Sequence, residues 1–110
     1  MGKLHYGDSH FSIDIDDRAL AHLQLVIFTK LRRGESFAYT WDQGAEKGFG
    51  RGAIWIHSSL TLRFEFLGSR YPDINRRWLE ELAGLASSSR GLYLTREPTD
   101  YPAGYSPSDG

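Results

Sequence analysis

Residues 46–52, Glu-Lys-Gly-Phe-Gly-Arg-Gly, concentrate the side chains whose types and spacing could do chemistry. Gly48, Gly50 and Gly52 stand at alternate positions, with Lys47 and Arg51 between and beside them. Backbone amides freed by glycine and flanked by cations form a cradle that could receive a phosphate. Several known glycine motifs use such a run, and each makes a demand that the neighbouring residues answer.

A dinucleotide loop (Gly48, Gly50, Ala53) needs a strand before the glycines and a helix N-terminus after them, because the helix end binds the pyrophosphate. Here the strand-like "AIWIH" follows, so that use is excluded. The RNA-recognition octapeptide opens as Lys47-Gly48-Phe49-Gly50 does. It then continues with an aromatic and an aliphatic residue that support base stacking, where this chain has Arg51 and Gly52. The adenylation motif K-x-D-G would take Lys47 as nucleophile, but Phe49 occupies the Asp position. A kinase glycine loop does sit between antiparallel strands, yet the remaining kinase motifs are missing. What is left is a glycine-rich connector over residues 43–51, long enough to touch a ligand through Lys47, Gly50 and Arg51.

Trp55, His57 and Arg63 lie just beyond it. "GAIWIH" (52–57) and "LTLRFEF" (60–66) read as two strands. A strict two-residue turn at Ser58-Ser59 would bury Trp55 with Leu62 and leave Ile54 and Ile56 beside Arg63. A loop one residue longer gathers Ile54, Ile56, Leu62 and Phe64 into the core, and puts Ala53, Trp55, His57, Thr61, Arg63 and Glu65 on the other face. The second arrangement is expected. A Trp open to solvent beside Arg suits a cation–π pair or a base-stacking platform. Elsewhere the chemistry is thin. His5 and His10 would face each other across a first hairpin, near Asp14, without an evident third metal ligand. Ser58 and Ser59 beside His57 are turn formers. Nothing assembles nucleophile, base and oxyanion donors, so no catalytic, cofactor or metal site is expected.

The elements that must position these residues follow from periodicity. A Gly7-Asp8 turn would pair Leu4 with Phe11 and His5 with His10, placing Leu4, Tyr6, Phe11, Ile13 and Ile15 on one face. Asp16 caps a helix over 17–33, with Lys30, Arg32 and Arg33 at its end and Gly34 as its stop. Its stripe is Leu20, Leu23, Ile27 and Leu31. Leu25 and Phe28 fall off that stripe, so the helix is either sandwiched in the domain or meets a second subunit, a homodimer through Leu25 and Phe28. "ESFAYTWD" (35–42) alternates as a strand. A second helix follows Pro72 with Asp73 as cap, and "GLYLTRE" (91–97) closes the fold. The order β-β-α-β-β-β-α-β predicts an α+β domain over residues 1–97: a mainly antiparallel sheet with two helices packed on one face.

A chain of 110 residues has room for one core. Without cysteine, disulfides and thiolate metal sites are excluded, which fits a reducing cytoplasm. The N-terminal "MGKLHY" shows no apolar signal region, and no run is apolar enough to span a membrane, so a soluble cytoplasmic protein is expected. Net charge is −1, against generic polyanion binding, yet residues 1–96 hold 13 basic and 11 acidic groups, and ten of the 13 are Arg. Arg suits stacking and bidentate contact with phosphate. Residues 98–110 are acidic, rich in Pro and Tyr, and lack Leu, Ile and Val, the composition of a disordered tail.

"MGKLHYG", "DDRALAHLQLVIFTKLRRGESFAYTW", "RGAIWIHSSLTLRFEF" and "INRRWLEEL" followed by "RGL" resemble, in order and spacing, a family of small actinobacterial or actinophage proteins of unknown function. Its members often carry the label "ATP-dependent DNA ligase". The resemblance implies a free-standing small domain and supplies no catalytic residues, and the missing Asp of the adenylation motif speaks against ligation. The family's usual His-Pro-Ser turn stands here as His57-Ser58-Ser59. The expectation is a non-catalytic binding or accessory module, contacting nucleic acid through Lys47, Gly50, Arg51, Trp55, His57 and Arg63, or else a homodimeric adaptor.

Overall fold

The computed structural model describes residues 1–8, 10–42 and 51–98. Lys47, Gly48 and Gly50, and the tail from residue 99 onward, lie outside the described residues. The element order is the one periodicity predicts: β1 (Gly2–Tyr6), β2 (Ser12–Ile15), α1 (Asp17–Arg32), β3 (Phe37–Asp42), β4 (Arg51–Ile56), β5 (Leu62–Glu65), α2 (Arg76–Ala86) and β6 (Leu92–Tyr93). The class is α+β, with the strands divided between two three-stranded sheets, β2-β1-β5 and β4-β3-β6. All pairs are antiparallel except β3 with β6. The helices pack on each other, α1 against β1 and α2 against β3 and β6. Among the described residues no helix is long and apolar enough to cross a membrane.

β1 and β2 pair two residues away from the expected register. Leu4 faces Ile13 and His5 faces Ser12, and the connection closes with Tyr6 N–H donating to Phe11 O at 3.3 Å. Side chains alternate with period two, so a slip of two keeps every residue on its face. Leu4, Ile13 and Ile15 are therefore still buried, while Phe11 is left 40% exposed. His10 no longer opposes His5. The His5 ring meets Glu65 Oε1 at 2.8 Å instead.

α1 has the ends its sequence predicts. Asp16 Oδ2 accepts from Arg18 N–H at 3.1 Å. At the other end Gly34 adopts φ 75°, its N–H donating to Leu31 O and that of Glu35 to Lys30 O. That double closure satisfies the last carbonyls and favours glycine, since an added Cβ would strain a positive φ. Leu20, Leu23 and Ile27 are wholly buried. The second face is covered only in part within the domain: Ala21 is buried, and Phe28 meets Phe64 of β5 edge-on at 5.3 Å but stays 39% exposed.

β4 and β5 form no ladder with each other. His57 O accepts from Leu60 N–H at 3.2 Å, so Ser58-Ser59 is the tight turn, but the chain then leaves for the first sheet and β5 pairs with β1. This dissolves the conflict between turn length and core. Ile56 is fully buried and Leu62 and Phe64 pack on the core, because the two strands need not share a pleat.

α2 starts two residues later than Asp73 as cap would require. Asn75 is the cap, its Oδ1 accepting from Trp78 N–H at 3.1 Å. Asn75 Nδ2 donates to Glu97 Oε2 and Pro98 O, and Arg18 grips both Glu97 oxygens at 2.8 and 2.7 Å. The start of α1, the start of α2 and the C-terminal segment are thereby tied by one carboxylate. The Arg18 guanidinium first, and then the Asn75 amide, hold that carboxyl down at about 2. A carboxyl lowered by folding stabilises the fold above its ordinary pKa of 4.5, and that contribution is lost as pH falls from there towards 2. With the side chain one-third open to water, the contribution is about 1–2 kcal/mol after screening. Urea unfolding of Glu97→Gln should show the deficit at pH 6 and converge with wild type near pH 2. A deficit that persists there contradicts the ionic clasp.

Candidate ligand-binding face

The β3–β4 register assigns every residue of the second sheet to a face. Phe37, Tyr39 and Trp41 lie opposite Ile56, Ile54 and Gly52, and these six point inward. Burial pushes the Tyr39 hydroxyl up to about 12, so it stays a neutral core group. The Trp41 indole lies flat across Gly52: a Cβ there would come within 2.2 Å of Trp41 Cζ2. Glycine opposite an aromatic ring lets the ring cover the bare backbone. Trp41 also stacks on Tyr39 at 6.4 Å and meets Phe11 at 5.6 Å, which fixes the inner layer beneath the N-terminal half of β4.

The outer face carries the complementary set. Ala38 lies opposite Trp55 and Thr40 opposite Ala53 on β4 and Tyr93 on β6. Arg51 stands two residues before Ala53 on the same face of β4. Ala53 and Trp55 are exposed on this side. Trp55 is 56% exposed, and the Arg90 guanidinium sits 5.1 Å from the centre of the Tyr93 ring. A concavity of about 550 Å³ runs from Trp55 over Ala38 to Ser88, Ser89 and Gly91. Its acid, Glu35, is held by Lys30 Nζ at 2.7 Å, whose ammonium keeps that carboxyl below its usual range. Among the described residues Arg51 and Arg90 enter no ion pair.

The outer face of the first sheet is the contrast. Lys3 binds Asp14 at 2.7 Å, His5 binds Glu65 at 2.8 Å, and Arg63 reaches Glu65 at 3.9 Å. The Glu65 carboxyl is lowered, chiefly by its bond from His5. Cross-strand pairs of this kind neutralise one another and leave a solvated surface with little field to offer a ligand.

Arg51, expected in the connector, opens β4 and shares a face of that strand with Trp55, while Arg63 lies on the other sheet. His57 sits half-buried in the turn beyond β4. Arg90 and Tyr93 were not foreseen. The alternation of "GLYL" marks a strand, but its parallel pairing with β3 depends on how α2 returns the chain, which no local pattern records. Among the described residues no group of three or more His, Cys, Asp or Glu could hold a metal ion.

Residues 1–97 match a family defined as a domain of unknown function, DUF7882. The chain belongs to the DUF7882 family. No curated protein and no solved structure matches it.

Proposed function

We propose that this domain is a non-catalytic binding module that takes nucleic acid on the outer face of its second sheet. The observation that carries the reading is Trp55: a large aromatic ring, more than half open to water, on a regular strand with a cation on the same face. Aromatic side chains stack on bases without regard to sequence, and Arg supplies phosphate contact and planar stacking. The paired charges of the first sheet offer no such combination.

Fluorescence anisotropy with labelled single-stranded and duplex DNA tests this, across a salt titration. Micromolar affinity for the single strand at low salt is expected, weakening with salt because counterions are released from the neutralised phosphates. Trp55→Ala should weaken it further by about tenfold, the effect of losing one stacked base, with unfolding unchanged because the ring is mostly solvent-facing. The absence of binding at low salt ends the proposal. The second reading is a homodimeric adaptor through Leu25 and Phe28, favoured by the 39% of Phe28 that stays exposed after Phe64 covers its edge. Light scattering that reports a monomer at high concentration removes it.

A further inference from the structure

The outer face has two stacking platforms at a separation the strand geometry fixes. Trp55 is the first. The second is the Arg90 guanidinium layered on Tyr93, since bases stack on Arg planes as well as on rings. Trp55 lies on β4 and Tyr93 on β6, with β3 between them. Their β3 partners, Ala38 and Thr40, are two residues apart. Two inter-strand spacings of ~4.8 Å crossed with two residues of ~3.3 Å rise put the platforms about 12 Å apart.

That distance selects a ligand. Stacked bases in a duplex strand rise ~3.4 Å per step, so neighbouring bases cannot bridge the gap and two stacked steps fall well short. Spanning it in two steps needs about 6 Å per step, half of the distance the strand geometry sets, which stacked bases at ~3.4 Å do not reach. The floor between the platforms, Ala38 and Thr40, carries no side chain tall enough to interrupt a sugar–phosphate chain. Bases splayed in this way are available in a single strand and not within a duplex.

We infer that the face reads an extended single strand three nucleotides at a time, the first base on Trp55 and the third on the Arg90–Tyr93 stack. The inference rests on the proposed nucleic-acid reading and adds to it a strand class, a footprint and two contact residues.

The test is calorimetric or fluorimetric titration with thymidine di-, tri-, tetra- and dodecanucleotides at low salt. Affinity should step up by about tenfold between the dinucleotide and the trinucleotide, as one further base gains a platform. Arg90→Ala and Tyr93→Ala should each remove that step, so that di- and trinucleotide bind the variant alike. Arg90 is exposed, so its variant keeps the test open if loss of the half-buried Tyr93 disturbs the fold. Affinity that climbs smoothly with length, or a step that survives Arg90→Ala, overturns the three-nucleotide footprint alone. Failure of every oligonucleotide to bind, the dodecamer included, overturns the proposed function and this inference with it.

Discussion

His22→Ala should lower the unfolding free energy by about 3 kcal/mol, as much as a buried leucine truncation commonly costs. His22 is wholly inaccessible to solvent. Its Nδ1 donates to Arg18 O at 2.7 Å, and its Nε2 accepts from the Asn75 backbone N–H at 2.8 Å. The second bond fixes the tautomer, since an amide N–H can be received only by an unprotonated ring nitrogen. The ring also packs on Trp78 at 4.7 Å. Alanine would leave a cavity beside Trp78 and a buried amide at the cap of α2 with no partner, and the two penalties add. For a domain of this size the melting midpoint should fall by about 15 °C. His10→Ala, at an exposed position, is the control and should leave the midpoint within a degree or two. A His22→Ala midpoint close to wild type would mean that α1 and α2 are not joined through this ring.

Gly52→Ala should destabilise by about 2 kcal/mol, against the direction that strand preference alone gives. Alanine is normally the better residue within a strand. Here the Cβ itself collides with Trp41, 2.2 Å from Cζ2 and 2.6 Å from Cε2, and the indole cannot withdraw without breaking its stacking on Tyr39 and its contact with Phe11. Gly52→Val should cost more, because a branched side chain widens the displacement. Thermal unfolding gives the magnitude, and a red shift of tryptophan emission reports the displaced Trp41. A Gly52→Ala variant as stable as wild type would show that the ring does not lie across β4. The same substitution also probes the face above: if Trp41 underlies the platform strand, ligand affinity should fall together with stability.

Much of this fold is legible in the sequence because its signals are local. Asp16 and Gly34 bound α1 through capping chemistry that acts within a few residues, and the alternation of Ile54 and Ile56 against Trp55 needs only the pleat of one strand. What could not be read is pairing. The β1–β2 connection is two residues longer than the Gly7-Asp8 signal suggests, and a slip of two leaves every face intact, so hydrophobic pattern could not detect it. Asp73 and Asn75 are both good cap residues. The choice of Asn75 comes from Glu97 and Pro98, which arrive from more than 20 positions away. Arg63 looked like a neighbour of Trp55 because β4 and β5 are consecutive, yet β5 crosses to β1. For the same reason only part of the candidate face is visible: the sequence places Trp55 on its strand and Arg51 in the connector before it, while Arg90 and Tyr93 come from a parallel crossover.

The most direct measurement is a two-dimensional amide and indole NMR titration with a single-stranded oligonucleotide at low salt. The expected result is that the Trp55 indole N–H and the amides of Ala38, Thr40, Ala53 and Tyr93 shift together and saturate, while Lys3, His5 and Arg63 on the first sheet stay in place. Shifts centred on the first sheet, or a spectrum unchanged at saturating oligonucleotide, would contradict the assignment of ligand binding to the outer face of β4-β3-β6.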